Sequence, residues 1–241
     1  MSEFWIRFSR NRSAVIGLII LILVVILAFI AGFLFPDDPF RLAGKPLSGP
    51  GLNGFLLGSD SLGRDVASGI AHGAKTSLLI GLIATLAAVF IGIIFGALSG
   101  YYGGFVDDLL MRITEIFQTI PSFVFAILLV AIMKPSIESI VIAITVVSWP
   151  GVARLVRAEF LSLKNREFVQ ACHTLGMGDL RIMLREILPN CLSPIIVIGS
   201  LMVATAILIE SGLAFLGLGD PNIMSWGFQI GAGRTMLRSA W

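Results

Sequence analysis

The chain has 241 residues, of which 56% are hydrophobic and only 13% are charged. An ordinary soluble domain has about 25% charged residues, so this composition indicates a protein with several membrane-spanning helices. The formal net charge of +2 is too small for a nucleic-acid-binding surface. The two cysteines and two histidines lack the spacing of a disulfide framework or a metal site, so we assign no residue to metal binding.

Five apolar runs approach or reach the length of about 20 residues that a helix needs to cross the bilayer core. They comprise residues 14–35, 77–99, 113–133, 137–152 and 191–218. The first run is too long for a signal peptide and has no small-residue cleavage site, so we expect it to be retained. The sequence therefore predicts an all-α fold, a polytopic bundle with five spans.

The sidedness of the spans follows from the excess of Lys and Arg in cytoplasmic segments. Residues 1–13 carry Arg7, Arg10 and Arg12, so the N-terminus is expected inside, and counting spans then places residues 36–75 outside. The same count places inside a segment rich in basic residues, which are Arg154, Arg157, Lys164, Arg166, Arg181 and Arg185. The charge rule and the span count agree.

The outer segment of residues 36–75 is dense in Pro and Gly at its start, which predicts an exposed connector. A short helix leading into the second span follows, for which Ser59, Asp60 or Ser61 is the expected N-cap. Arg64 and Asp65 are expected to be solvated.

Three glycines recur at four-residue spacing in the second span, at Gly92, Gly96 and Gly100. They form one helix face without side chains, and small residues spaced in this way let two helices approach closely in lipid. We therefore expect tight packing against another helix.

The longest charged interruption is residues 166–190, called here the polar hairpin. Its first half carries an apolar stripe at helical spacing, formed by Phe168, Ala171, Cys172 and Leu175, and Gly176 stands where a C′ glycine would end the helix. A second short helix is expected from Asp179 until Pro189 closes it. Two interpretations remain open: a docking element for another protein, or a passive element that either caps the bundle or lies on the lipid surface.

The pattern Gln170-Ala171-Cys172-x-x-x-Gly176 resembles the "EAA" loop of permease subunits in binding-protein-dependent ABC importers, with Gln170 in place of the usual Glu. Four further stretches, in the same order along the chain, resemble the second permease of dipeptide, oligopeptide and nickel importers. They are "LLGSDSLGRDV" (56–66), "GYYGGFVDDLLMR" (100–112), "SWPGVARLVRAE" (148–159) and "ESGLAFLGLGDP" (210–221).

The resemblance implies an ABC importer type I permease fold in a bacterial or archaeal plasma membrane. It implies four kinds of partner: a second, similar permease, two cytoplasmic ATPases that bind ATP and Mg, an extracytoplasmic solute-binding protein, and lipid. This chain would hold no cofactor and would not itself be an enzyme. The polar hairpin would be the cytoplasmic helix that couples the ATPase to the permease core (76–218), through Glu167, Gln170, Ala171, Cys172, Thr174, Leu175, Gly176 and Asp179.

The cargo implied by the resemblance is peptide, with nickel or another small solute as the alternative. An intramembrane enzyme is a rival class, but the sequence contains neither H-E-x-x-H nor G-x-S-x-G. A passive channel is the second rival class, and it would conduct without ATP. The chain has no G-x-x-x-x-G-K-[ST] motif, so ATP would have to be hydrolysed by a separate chain.

Glu210 is the ionisable residue inside the fifth apolar run. A charged group at this depth is costly if it faces lipid, so it should face the bundle, water or a partner. A packing or gating role is the favoured interpretation, and contact with the substrate is the alternative.

The family that the chain resembles has a sixth span, whereas residues 219–241 contain no apolar run long enough to cross a bilayer. We therefore expect these residues to form an outer segment that stops before the family's last span.

Overall fold

The structure is a computed structural model that describes Trp5 and residues 8–236, with the side chain of Thr235 left out. Arg7 and residues 237–241 of the expected outer segment lie outside the described residues. The described chain is mostly helical and contains no strand, in agreement with the predicted all-α fold. The helices are α1 (Arg12–Leu34), α2 (Val66–Tyr102), α3 (Gly104–Thr119), α4 (Ser122–Met133), α5 (Ile137–Leu163), α6 (Glu167–Thr174), α7 (Asp179–Phe215) and α8 (Trp226–Gly233).

Four of the described helices, α1, α2, α5 and α7, are long and apolar enough to cross a membrane. The predicted third span is not one helix, because α3 and α4 meet at an angle of 82°. The break lies at Ile120, whose φ of −93° and ψ of 133° are extended. The ring of Pro121 clashes with a helical conformation at the preceding residue, which explains why the helix ends there. Pro150, by contrast, lies inside the continuous helix α5.

The chain divides into two compact units, one formed by residues 1–78 and 221–241 and the other by residues 79–220. In the second unit, one buried cluster lies where the polar hairpin meets α5, with Val156, Phe160 and Ile187 fully buried. Another cluster brings together α4, α5 and α7 around Val130 and Ile144.

The predicted glycine face of α2 packs against α5. A Cβ atom added at Gly92 would lie 2.5 Å from the Cβ of Val152, and one at Gly100 would lie 2.6 Å from the Cβ of Phe160. At Gly96 an added Cβ would meet the carbonyl oxygen of Ala153. The expected close approach is therefore confirmed, because no side chain fits between these two helices.

In the first unit, the expected short helix before the second span does not exist as a separate element. The Oδ1 atom of Asp65 accepts hydrogen bonds from the backbone N–H groups of Ala67 and Ser68, at 2.8 and 3.4 Å, so Asp65 is the N-cap of α2. From there α2 continues without a break to Tyr102. The predicted cap Asp60 instead accepts the N–H groups of Leu62 and Arg64 within the preceding loop.

The prediction that Arg64 is solvated is also wrong. Its side chain donates from Nε to Oδ2 of Asp60 at 2.6 Å, and the residue is only 8% exposed. The guanidinium carbon lies 5.8 Å from the ring centroid of Phe40 and 5.3 Å from that of Phe228. A carboxylate and aromatic rings both stabilise a buried guanidinium. Here Asp60 supplies the carboxylate from only four residues away, whereas the rings of Phe40 and Phe228 come from distant parts of the chain.

Candidate functional site: the polar hairpin and its base

The first arm of the polar hairpin is α6, which ends as its sequence predicts. Gly176 has a φ of +73°, a conformation that glycine adopts without strain. The N–H of Met177 donates to the carbonyl of Cys172 at 3.1 Å, and the N–H of Gly176 donates to the carbonyl of His173 at 3.0 Å. These two bonds form a Schellman motif, so the prediction of a C′ glycine is confirmed.

The second arm begins at Asp179, as predicted, but it does not end at Pro189. It passes through a π-helical turn at Met183–Ile187 and continues as α7 into the last apolar helix. A π turn holds one extra residue. The wider turn leaves room for the proline ring, and it shifts the backbone hydrogen bonds at the point where proline has no N–H group to donate. The side chain of Asn190 donates to the carbonyl of Glu186 at 2.6 Å and so satisfies one of the carbonyls before the proline.

The inner face of the polar hairpin packs against α5. Val169 of the first arm and Ile182 and Ile187 of the second arm are fully buried, in one cluster with Phe160 of α5. Each apolar side chain of this size stabilises the folded state by about 1.5–3 kcal/mol on full burial. The base of the hairpin is therefore part of the hydrophobic core and not a loose loop.

The outer face of the polar hairpin exposes large apolar side chains among polar ones. Leu175 is 79% exposed, Leu180 is 67% exposed and Leu184 is 54% exposed. The apolar stripe expected in the first arm is thus not the buried one, because Phe168, Ala171 and Leu175 point outward and only Cys172 is half-buried. An open cleft of about 650 Å³ runs beside the second arm, lined by Gly178, Asp179, Leu180, Arg181, Leu184 and Arg185.

The residues assigned to this site by sequence all lie on the hairpin, and all but Cys172 are exposed: Glu167, Gln170, Ala171, Thr174, Leu175, Gly176 and Asp179. Two of them bond only to nearby backbone. Nε2 of Gln170 donates to the carbonyl of Asn165 at 3.2 Å, and Oγ1 of Thr174 donates to that of Ala171 at 2.8 Å. Their outward surfaces are therefore available to a partner.

A polar pair that sequence reasoning missed lies in the same unit as the hairpin. Arg157 of α5 holds Asp107 of α3 by two parallel bonds, Nε to Oδ1 at 2.5 Å and Nη2 to Oδ2 at 2.6 Å. Ser99, which is fully buried near the end of α2, also donates to Asp107. The bidentate geometry fixes both partners, so three helices are joined at one carboxylate. The signal was present in "GYYGGFVDDLLMR" and "SWPGVARLVRAE", but nothing in either stretch indicates which carboxylate and which guanidinium meet.

Glu210 lies on α7 and is 1% exposed, so its side chain is enclosed by protein. The hydroxyl of Ser211 donates to its Oε2 at 3.5 Å. Thirty-one residues of helix separate it from Asp179, a rise of about 46 Å at 1.5 Å per residue, so it takes no part in the hairpin surface. Among the described residues, no cluster of three or more His, Cys, Asp or Glu side chains has the arrangement of a metal site.

Comparison with known proteins identifies the family to which this chain is similar. Residues 88–236 match the model of the binding-protein-dependent transport system inner membrane component, and residues 1–48 match the N-terminal transmembrane domain of oligopeptide transport permease C. The di/tripeptide transport system permease protein DppC of Pseudomonas aeruginosa is 39% identical over 100% of this chain and 82% of its own length. The oligopeptide transport system permease protein OppC of Haemophilus influenzae is 41% identical over 98% of this chain and 77% of its own length.

A solved structure of the MetNI methionine ABC transporter, in an inward-facing conformation, has a chain of similar fold. The TM-score is 0.60 at 17% identity, and the match covers 72% of this chain and 83% of that chain. This likeness confirms the expected permease fold. With the family matches, it leads to one conclusion: the chain belongs to the family of binding-protein-dependent transport system inner membrane components, as a multi-pass permease subunit of an ABC importer whose ATPase is a separate subunit.

Proposed function

We propose that this permease forms part of the path for peptide uptake and that the polar hairpin docks in a groove of a cytoplasmic ATPase subunit. The observation that carries the docking proposal is the contrast between the two faces of the hairpin. The inner face is buried against α5, whereas the outer face exposes Leu175, Leu180 and Leu184. An amphipathic helix held in this way is suited to a helix-in-groove contact.

The passive-cap interpretation accounts less well for this outer face. A helix that anchors at a lipid surface by charge usually has a dense basic face. Here the exposed residues of α6 are mixed, with Glu167, Gln170 and Thr174 beside Phe168 and Leu175. A protein groove provides both an apolar floor for the leucines and polar groups for their neighbours.

The proposal includes the other subunits that ATP-driven import requires. Two ATPase subunits bind ATP and Mg, a second permease completes the path, and a solute-binding protein delivers cargo from outside. When ATP closes the ATPase subunits, the hairpin moves and the spans exchange between outward-open and inward-open states. Coupling of this kind requires that the hairpin contacts differ in the two states, since equal contacts would shift nothing.

The cargo proposal is supported by the relatives. The permeases from Pseudomonas aeruginosa and Haemophilus influenzae that match nearly the whole of this chain carry di/tripeptide and oligopeptide names. Nickel, the alternative cargo, stays a prediction without a supporting observation. Glu210 is our candidate for a gating or pathway residue. The electrostatic energy of a carboxyl group enclosed by helices changes strongly when those helices move by a small distance.

The docking proposal is tested by Leu175→Asp and Ala171→Asp. Both side chains are exposed, so neither change disturbs the core, and each places a charge where the ATPase groove would be apolar. We expect co-purification with the ATPase to fall at least tenfold and uptake to be lost, with normal membrane insertion. Leu52→Asp is the matched control, since Leu52 is 59% exposed in the predicted outer segment. Normal ATPase binding by both hairpin variants would contradict the proposal.

The cytoplasmic position of the hairpin has its own test. In a variant with Cys172→Ala and Cys191→Ser, a single cysteine is introduced as Arg181→Cys or as Asp37→Cys. A membrane-impermeant maleimide added to intact cells should label the Asp37→Cys variant and spare the Arg181→Cys variant. Labelling of the Arg181→Cys variant from outside would show that the span count, and with it the docking proposal, is wrong.

A further inference from the structure

Tyr101, at the end of α2, contacts both arms of the polar hairpin. Its hydroxyl donates to Oδ1 of Asp179 in the second arm at 2.8 Å. Its ring stacks on His173 of the first arm, with 6.4 Å between ring centroids and 28° between planes. Its backbone carbonyl lies 3.5 Å from Nζ of Lys164, just before the hairpin. The side chain of Gln170 also bonds outside the hairpin, but only to the carbonyl of Asn165, five residues earlier in the chain.

The contacts of Tyr101 with both arms matter because of the turn that connects the arms. Gly176 and Gly178 flank the turn, and neither would bring an added Cβ within 4 Å of another atom, so only Met177 between them packs against the buried cluster. The angle between the arms therefore depends largely on contacts of the arms themselves. On the inner face, burial of Val169 and Ile182 holds both arms in place. On the polar side of the hairpin, His173 of one arm and Asp179 of the other are joined through the side chain of Tyr101.

The helix that carries Tyr101 is suited to passing on a displacement. α2 is continuous for 37 residues, a length of about 55 Å at 1.5 Å per residue. Near its end, Gly96 and Gly100 bring its backbone into direct contact with α5. A displacement of His173 and Asp179 would therefore push or pull the end of a continuous helix that is closely packed on α5.

We propose that Tyr101 is a positioning residue that holds the two arms of the polar hairpin against the end of α2, so that movement of the hairpin by the ATPase moves α2. The proposal rests on the docking function proposed above. Tyr101 does not contact the ATPase in this scheme. Its loss therefore separates ATP hydrolysis from transport without releasing the ATPase.

The test compares Tyr101→Phe, which keeps the ring and removes the hydroxyl, with the parent in proteoliposomes holding the whole transporter. The readout is the amount of a labelled di- and tripeptide mixture imported per ATP hydrolysed. We expect this ratio to fall about fivefold, the effect of losing one hydrogen bond, with ATPase co-purification unchanged. Tyr102→Phe is the matched control, because the adjacent Tyr102 is 52% exposed and its hydroxyl makes no hydrogen bond to described residues.

A double-mutant cycle with Asp179→Ala provides the second readout. If the Tyr101–Asp179 bond is the coupling contact, Tyr101→Phe should lower the ratio no further once Asp179→Ala is present, whatever Asp179→Ala changes at the docking surface. An unchanged ratio in Tyr101→Phe, or single effects that add in the double variant, would overturn the proposal for Tyr101 alone. Failure of the docking proposal would show itself differently, as normal ATPase binding in Leu175→Asp and Ala171→Asp.

Discussion

Replacing Gly96 by alanine places a methyl group between α2 and α5, where the structure leaves no room for one. The added Cβ would lie 2.6 Å from the Cβ of Val156 and 3.0 Å from the backbone nitrogen of Arg157, with the carbonyl oxygen of Ala153 closer still. Two of these atoms belong to the backbone, so a side-chain rotation cannot relieve the clash. The two helices must move apart.

The size of the effect follows from this geometry. Ordinary van der Waals contact begins at 3.4 Å, so the Cβ of Val156 must move by about 0.8 Å. A gap of about 0.5–1 Å forfeits a quarter to a half of each contact energy along the interface, and overpacking of this kind costs about 1–3 kcal/mol. At an uncrowded helical glycine, alanine instead gains about 1 kcal/mol from its helix propensity.

Gly199 of α7 is the matched control, because a Cβ there would meet only Cγ2 of Val89 at 3.7 Å, an ordinary contact. The propensity gain is the same at both positions, so we expect the free energy of unfolding of Gly96→Ala to lie about 1–3 kcal/mol below that of Gly199→Ala. In detergent this difference should appear as a midpoint lower by roughly 2–10 °C, measured by size-exclusion chromatography after heating. Equal midpoints would show that the close packing of α2 on α5 is wrong.

Three further outcomes are expected. Asp107→Asn should lower the free energy of unfolding of the permease by about 1 kcal/mol, because the ion pair with Arg157 is lost. The exchanged pair, Asp107→Arg with Arg157→Asp, should restore part of that loss. A melting temperature unchanged by Asp107→Asn would contradict the pairing. Glu210→Gln should slow peptide uptake while assembly stays normal, because the amide keeps the volume and removes the charge, and uptake at the parent rate would exclude a role for the charge. Arg64→Met should increase hydrogen–deuterium exchange in residues 36–64, since the loop loses its buried anchor; exchange as slow as in the parent would refute that anchoring role.

Local signals predicted much of the polar hairpin. The spacing of apolar residues in 166–190 indicated two short helices, and Gly176 was expected at C′, where the structure has a φ of +73°. Both features depend on interactions within about six residues, such as the bond from Met177 to the carbonyl of Cys172. Which face is buried could not be predicted, because that depends on α5, and the structure buries Val169 while it exposes Leu175.

The two prolines show how context decides what one residue type does. Pro121 and Pro150 both lie in apolar runs of the sequence, and a proline at either place permits a kink in a helix. The structure breaks the chain before Pro121, where α3 and α4 meet at 82°, whereas α5 continues through Pro150, which is buried beside Trp149. The proline itself removes one N–H group in either case, so the difference arises from the packing of the flanking segments.

By itself the sequence determined the features that need only composition and short-range periodicity. Those are the membrane class, the approximate spans, the glycine face of α2 and the helices of the hairpin, since hydropathy and helix geometry act within a single segment. Only the tertiary structure decided that Arg64 is buried, that Asp107 meets Arg157, and that Tyr101 reaches Asp179 across 78 residues of sequence. These pairs form when helices distant along the chain pack together, and many carboxylates and cations in the sequence are equally eligible partners until that packing selects among them.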